Sequence, residues 1–297
     1  MCGFIGLQSG FIRIFRSGTL LQAREKMAII TISRGSATGG LLLAEGLAKK
    51  LGYKLVRRED ILEGTAKFGV EAAKLENLLF GPPTFSDDFK QDIRNYIAFF
   101  QAALYEYIQK QDVIYLGNVG HLMLRDIPDV LTIRLIAPLE YRIRLLIERG
   151  KMTREEASNY IEKIDAQRRA WTLFLYGVDW LNPILYDLTL NLENMNIDTA
   201  VEIAVTAARL KKFSESDQNQ MTMGNMLLAA TTRAELLANP RLASYDIEVE
   251  ADTGNATVYL EGKLTPELIG HAVEIAGNIA GVNKVDTSRI VRLEQES

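Results

Sequence analysis

Residues Ala28 to Tyr53 run through a short β-branched apolar stretch, a turn of small residues and a helix-forming segment. This succession constrains the fold more than any other feature of the chain. Ala28 to Ile32 has the composition of a buried strand. Leu41 to Leu51 reads as a helix, which Gly52 is placed to end in the left-handed conformation. Between them Gly35, Ser36, Ala37, Thr38, Gly39 and Gly40 carry little side-chain bulk. Such a turn lets backbone N–H groups converge on an anion at a helix N-terminus, where the macrodipole also favours negative charge. Arg34 directly follows the strand at this turn, where surplus charge has little structural use, and reads as a phosphate ligand.

The loop departs from the usual G-x-x-x-x-G-K-[ST] pattern, which would put a lysine at position 40 and a hydroxyl at position 41. Gly40 and Leu41 stand there instead. The lysine would neutralise transferring phosphoryl oxygens and the hydroxyl would hold Mg²⁺, so neither task falls to the expected side chain. A glycine turn between strand and helix also occurs in α/β proteins that bind no phosphate. By itself the motif leaves both readings open.

A chain of 297 residues, 47% apolar and 24% charged, can bury one large core and a small one, so two domains are expected. A net charge of −4 with two histidines points away from a nucleic-acid partner and from a histidine-built metal site. The single cysteine, Cys2, excludes an internal disulfide and fits a cytoplasmic protein. In residues 1 to 26 the basic Arg13, Arg16, Arg24 and Lys26 mostly follow the apolar residues, unlike a signal peptide. No run there approaches the roughly 18 apolar residues that span a bilayer. Met27 stands directly before the first strand, so this segment reads as an upstream extension or a disordered arm.

From residue 27 to 211 apolar strands alternate with helices, the pattern of a mostly parallel sheet covered on both faces. Strands are expected at 112–117, 130–136 and 186–191, and helices near 87–109, 139–149, 154–175 and 197–210. Thr153 and Glu156 form a capping box for the third of these helices. Gly81-Pro82-Pro83 marks a loop before a long helical insertion. Residues 212–222 are polar and read as a linker. Residues 223–297 form a second, small α+β unit: a helix to Leu237, two alternating strands around Asp252-Thr-Gly-Asn255, a helix from Pro266 and a strand from Val285. With six basic against eleven acidic side chains, it is the acidic part of the molecule.

Several short motifs in the first domain resemble the cytidylate kinase-like family, relatives of the P-loop nucleoside monophosphate kinases. They are Ile30-Thr-Ile-Ser-Arg34 with Ala37-Thr-Gly-Gly40, Tyr53-Lys-Leu-Val-Arg57-Arg58-Glu59, and Ala137-Pro-Leu-Glu-Tyr-Arg142-Ile-Arg144. Lys163-Ile-Asp165-x-x-Arg168 and Asp179-Trp180 with Tyr186-Asp187-Leu188 complete the set. The resemblance implies a P-loop kinase-like parallel sheet with ATP, and Mg²⁺ if the protein is active, as cofactors. It also implies an acceptor region around Arg58, Glu59 and Asn118, and a lid near residues 149–176. Arg34, Arg142, Asp165 and Arg168 become the catalytic set, because phosphoryl transfer is mainly positioning and charge neutralisation. On helical spacing, Arg142 and Arg149 share a face, and Asp165 and Arg169 are i,i+4.

Departures from the family pattern weigh against turnover. Leu41 and Asn118 stand where the family commonly has arginine, Arg57 replaces its usual aspartate, and no carboxylate ends the Val113–Leu116 strand. No metal-ligand set is expected from these residues. The small C-terminal unit resembles a BON domain through Ile247-Glu-Val249, Ala256–Gly262 and Gly281–Val285. That likeness implies membrane or lipid contact or small-ligand sensing; the acidic surface disfavours anionic membrane, so a regulatory module contacting a protein or small ligand is expected. A nucleotide kinase, a nucleotide sensor without turnover and a structural adaptor all stay open at this point.

Overall fold

A computed structural model of the protein describes residues 29–69, 87–110, 112–150, 152–210, 213 and 217–293. Five strands, β1 (Ile30–Arg34), β2 (Lys54–Arg57), β3 (Val113–Leu116), β4 (Leu131–Ile136) and β5 (Leu188–Asn191), form an all-parallel sheet in the order β2-β3-β1-β4-β5. Alternate residues of β3 decide what packs on each face. Ile114 and Leu116 join Ile30, Ile32, Ile133 and Leu135 beneath α1 (Gly40–Leu51) and α7 (Ile197–Ala208). Val113 and Tyr115 face the other way, toward α2 (Arg58–Gly64), α3 (Asp87–Lys110) and the short α4 (Gly120–Met123). The expected sheet with helices on both faces is therefore present.

Helix α1 is held by Leu43, Ala44 and Leu47, all fully buried. Each leucine contributes about 1.5–3 kcal/mol through its burial. Gly46 permits close approach to α7, since a Cβ there would lie 2.6 Å from Val201 Cγ2. Two further helices, α5 (Leu139–Gly150) and α6 (Arg154–Tyr176), pack together through Ile143, Ala157 and Ile161. The capping box at the start of α6 is formed. Thr153 Oγ1 accepts from the Glu156 N–H at 3.2 Å, and Glu156 Oε2 accepts from the Thr153 N–H at 2.7 Å.

The C-terminal unit contains α8 (Asp217–Ala238), the antiparallel pair β6 (Ile247–Asp252) and β7 (Thr257–Leu264), α9 (Pro266–Gly277), and β8 (Lys284–Arg292). Strand β8 runs parallel to β7. Leu236, Ile247, Leu260, Leu264, Leu268 and Ala272 form its core.

The polar stretch expected to be a linker is helical from Asp217 onward, and α8 belongs to both units. Met223 is buried in the first unit's core with Tyr96 and Tyr115. Ala234 and Leu237 pack on Phe68, Ala98, Phe99 and Ala102, while Leu236 faces the C-terminal core. Gln91 and Asn95 of α3 donate to the Ala243 carbonyl at 2.9 and 3.0 Å. Local polarity reads as a linker because the apolar surface that holds this helix to the first unit, on α3 and at Phe68, lies more than 100 residues away in sequence. The segment 1–26 and the Gly81-Pro82-Pro83 turn lie outside the described residues.

Candidate functional site

The loop from Gly35 to Gly40 leaves the carboxyl end of β1, the central strand, flanked by β3 on one side and β4 on the other. Ligands of open parallel sheets bind at such a position, where the strand order changes direction. Ala37 (φ 55°) and Gly39 (φ 84°) adopt left-handed backbone that turns the chain into α1. Gly39 is the N-cap of α1 without a side-chain cap, and no acidic residue occupies the first helical turn. The positive end of the helix is thus left to the loop. Thr38 is buried and its hydroxyl donates to the Gly35 carbonyl at 3.2 Å, bracing the turn.

Three guanidinium groups converge on this loop. Arg34 crosses the first turn of α1: a Cβ on Gly40 would stand 2.6 Å from Arg34 Cδ. Its Nη1 donates to Asn118 Oδ1 at 3.0 Å. Arg142 reaches in from α5, with Nε donating to the Ser36 carbonyl at 2.7 Å and Nη2 pairing with Asp165 Oδ2 at 2.5 Å. Arg168 comes from α6 and donates to the Arg34 carbonyl at 3.2 Å. Burial lowers the pKa of Arg34. Burial, with the neighbouring Arg34 charge second, lowers that of Arg168 to about 10. Arg168 keeps its proton at neutral pH. Asp165 Oδ1 accepts from the Ser36 N–H at 2.8 Å and lies 3.9 Å from Arg168 Nη1.

Beside the loop is a partly open cavity of about 150 Å³ lined by residues of α2, α3, the β3–α4 turn and α6. Arg58, Asn118 and Arg168 supply charge and polarity, and Tyr96, Phe100 and Trp171 supply aromatic walls. Asn118 links the two regions. Because an arginine can only donate, the Asn118 carboxamide must turn its oxygen toward Arg34. Its backbone carbonyl accepts from Ser33 Oγ at 2.8 Å. Glu59 remains exposed in the first turn of α2, where its charge offsets a small part of the lowering that burial imposes on Arg34, and does not line the cavity.

Other spacing-based expectations resolve differently. Arg149 is exposed, two helical turns beyond Arg142, because residues seven apart share a face while standing about 10 Å apart along it. Arg169 pairs with Asp179 at 2.6 Å, which leaves Asp165 to Arg142 and Arg168. Arg57, in the place of a family aspartate, caps nothing with a carboxylate; Asp60 accepts from its backbone N–H at 2.7 Å instead. Trp171 is a cavity residue that the sequence motifs miss. Its signal is the recurrence of Ile164, Arg168, Trp171 and Leu175 at helical spacing on one face of α6. Tyr96 and Phe100 are core residues that also line the cavity, whereas Phe99 faces α8.

His121 lies behind the loop rather than in it. It is 4% exposed, and its Nδ1 is 3.2 Å from Ser33 Oγ. Since the Ser33 hydroxyl proton goes to Asn118, Nδ1 carries the proton of the neutral ring. Burial, then the charge of Arg134, holds its pKa down at about 4. The Tyr186 ring covers it at 4.5 Å between centroids.

A glycine turn opening α1 on a five-stranded parallel sheet, with arginines gathered above it, defines a P-loop kinase-like protein. The chain belongs to the cytidylate kinase-like family, whose sequence pattern matches residues 29–194, and a BON domain follows at residues 227–292. A cytidylate kinase from Sulfolobus acidocaldarius is 29% identical over 164 residues, covering 54% of this chain and 84% of that protein. A cytidylate kinase from Pyrobaculum neutrophilum is 26% identical over 180 residues, covering 60% and 91%. Among solved structures, an uncharacterized protein from Eubacterium ventriosum is similar with a TM-score of 0.48 and 20% identity, covering 62% of this chain and 98% of that one.

Proposed function

We propose that the protein binds a nucleoside triphosphate at the Gly35–Gly40 loop and transfers its γ-phosphoryl group to a nucleoside monophosphate in the adjoining cavity. The observation that carries this reading is the convergence of Arg34, Arg142 and Arg168 on a loop that opens an uncapped helix. Guanidinium groups are suited to phosphate because they offer planar, paired donors and stay charged. Cytidylate as acceptor is suggested by the relatives named cytidylate kinase.

In this reading ATP phosphates rest on the loop amides. Arg34 replaces the absent lysine, Arg142 and Arg168 neutralise charge on the transferring group, and Arg58 with Asn118 orients the acceptor. The aromatic walls of the cavity exclude water from the transfer. The residues fit phosphate better than they fit Mg²⁺. Leu41 replaces the usual hydroxyl, no carboxylate ends β3, and among the described residues no three His, Cys, Asp or Glu side chains cluster. No step is therefore assigned to a protein-held metal. No helix among the described residues is long and apolar enough to cross a membrane. We place the protein in the cytoplasm with its nucleotide substrates.

A second reading, a nucleotide sensor without turnover, is favoured by one specific arrangement. Helix α3 carries cavity-lining Tyr96 and Phe100 on one side and the α8 contacts Phe99 and Ala102 on the other. Ligand at the loop would then be reported to the BON domain, which in turn contacts a protein or small ligand. Calorimetric titration with ATP, CMP and CDP, with and without Mg²⁺, followed by a phosphoryl-transfer assay, decides between the readings. Product formation selects the kinase, binding without product selects the sensor, and absence of binding overturns both.

A further inference from the structure

We propose that Asp165 is an internal substitute for phosphate: its carboxylate takes the loop amide and guanidinium contacts suited to an anion, ties α6 to the loop, and must be displaced before a nucleotide binds. The inference rests on the loop being a phosphate site and concerns how that site is regulated.

The contacts of Asp165 are those a phosphoryl oxygen would take. Oδ1 accepts the Ser36 N–H at 2.8 Å, Oδ2 meets Arg142 Nη2 at 2.5 Å, and Arg168 Nη1 stands 3.9 Å from Oδ1. One loop amide and two guanidinium groups thus surround a carboxylate delivered from 129 positions away in sequence. The residue has a nearer alternative that it does not use, since Arg169, one turn along the same helix, is held by Asp179. A phosphate and this carboxylate cannot both accept the Ser36 N–H, because a single hydrogen bonded well to one oxygen is lost to the other.

The same carboxylate fastens the lid. Near its start α6 is packed on α5 through Ala157 and Ile161, apolar contacts with no polar group for a phosphate to replace. Over the loop itself, Asp165 to Ser36 and Arg168 to the Arg34 carbonyl are polar contacts that incoming phosphate oxygens can replace. Phosphate binding therefore competes with closure by Asp165, and the apparent affinity is reduced by the fraction of molecules in which the carboxylate is withdrawn.

The test is titration of the full chain with inorganic tripolyphosphate for the wild type, Asp165→Asn and Asp165→Ala. The asparagine keeps shape and one acceptor but removes the charge that Arg142 holds. Both variants are expected to bind about ten-fold more tightly, the scale of one lost charge-assisted contact. Equal or weaker binding by the variants, with the wild type binding, overturns the inference and leaves the loop reading standing. Absence of binding in all three overturns both. A ligand-free readout is independent of affinity: hydrogen exchange at the Ser36 amide should be slow in the wild type and faster in Asp165→Ala. An unchanged rate, in protein whose melting shows it folded, overturns the proposal.

Discussion

The aliphatic stem of Arg34 fills the space directly over Gly40, so closely that a Cβ at position 40 would lie 2.6 Å from Arg34 Cδ and 3.0 Å from its Cγ. This contact explains a peculiarity of the loop. A lysine at position 40 would have to start from volume already occupied by the side chain of another cation, Arg34. Gly40→Ala should therefore displace Arg34. We expect a cost of about 1–3 kcal/mol in denaturant unfolding, as for other overpacked sites, together with weaker nucleotide binding. Gly40→Lys, although it restores the common motif, should not improve binding. An improvement in calorimetry would separate Arg34 from the phosphate site.

Arg142 touches both the loop carbonyl and Asp165, whereas Arg149 on the same helix is exposed. Arg142→Ala is expected to lower phosphoryl transfer on the order of 10²–10³-fold, the usual effect of removing one preorganised donor from developing charge. Arg142→Lys should recover only part of it, since an ammonium cannot reach the Ser36 carbonyl and an anion through a planar fork. Arg149→Ala is the control and should stay within a factor of two or so, as for other exposed charges. Equal losses at both positions, in steady-state assays, would contradict the assignment.

His121 supplies a pH dependence of stability. Its folded pKa of about 4 lies below the ordinary value of 6.5, so the unfolded chain takes up a proton that the folded chain refuses. The contribution is complete above about pH 6.5 and is lost as the pH falls to about 4. Over that window it amounts to on the order of 3 kcal/mol. Urea unfolding measured at several pH values should show this decline, and His121→Phe should flatten it. A variant with an unaltered slope would exclude the imidazole as its source.

Removal of Leu237 or of the whole C-terminal unit tests the shared helix. Leu237 is buried with Phe68 and Phe99 on the first unit, so Leu237→Ala should cost about 2–5 kcal/mol. Because α8 contributes Met223 to the same core as Tyr96 and Tyr115, the loss should register in the first unit's unfolding as well as the second's. A chain ending at Leu210 is expected to unfold at lower temperature than the full chain. A first-unit transition unaffected by either change would show the units to be separately stable.

Much of this protein is written in local sequence. The run Ala28–Ile32, the small-residue turn and Gly52 are sufficient to specify β1, the loop and α1, because a continuous β-branched apolar run, turn chemistry and helix termination act over a few residues. The capping box of α6 and the β6–β7 hairpin around Asp252 to Asn255 follow for the same reason. The arginines of the site are readable as candidates from their motifs, but their partners are not. Helical spacing relates Asp165 to Arg169, yet the placement of α6 beside the loop and α5 joins Asp165 to Ser36 and Arg142 and leaves Arg169 to Asp179. Likewise the polarity of residues 212–222 describes their own solvation, and says nothing of the apolar groove on α3 that holds α8. Short-range chemistry is encoded residue by residue. Which distant surfaces meet, and therefore which charge answers which, is decided only when the chain has closed into its tertiary fold.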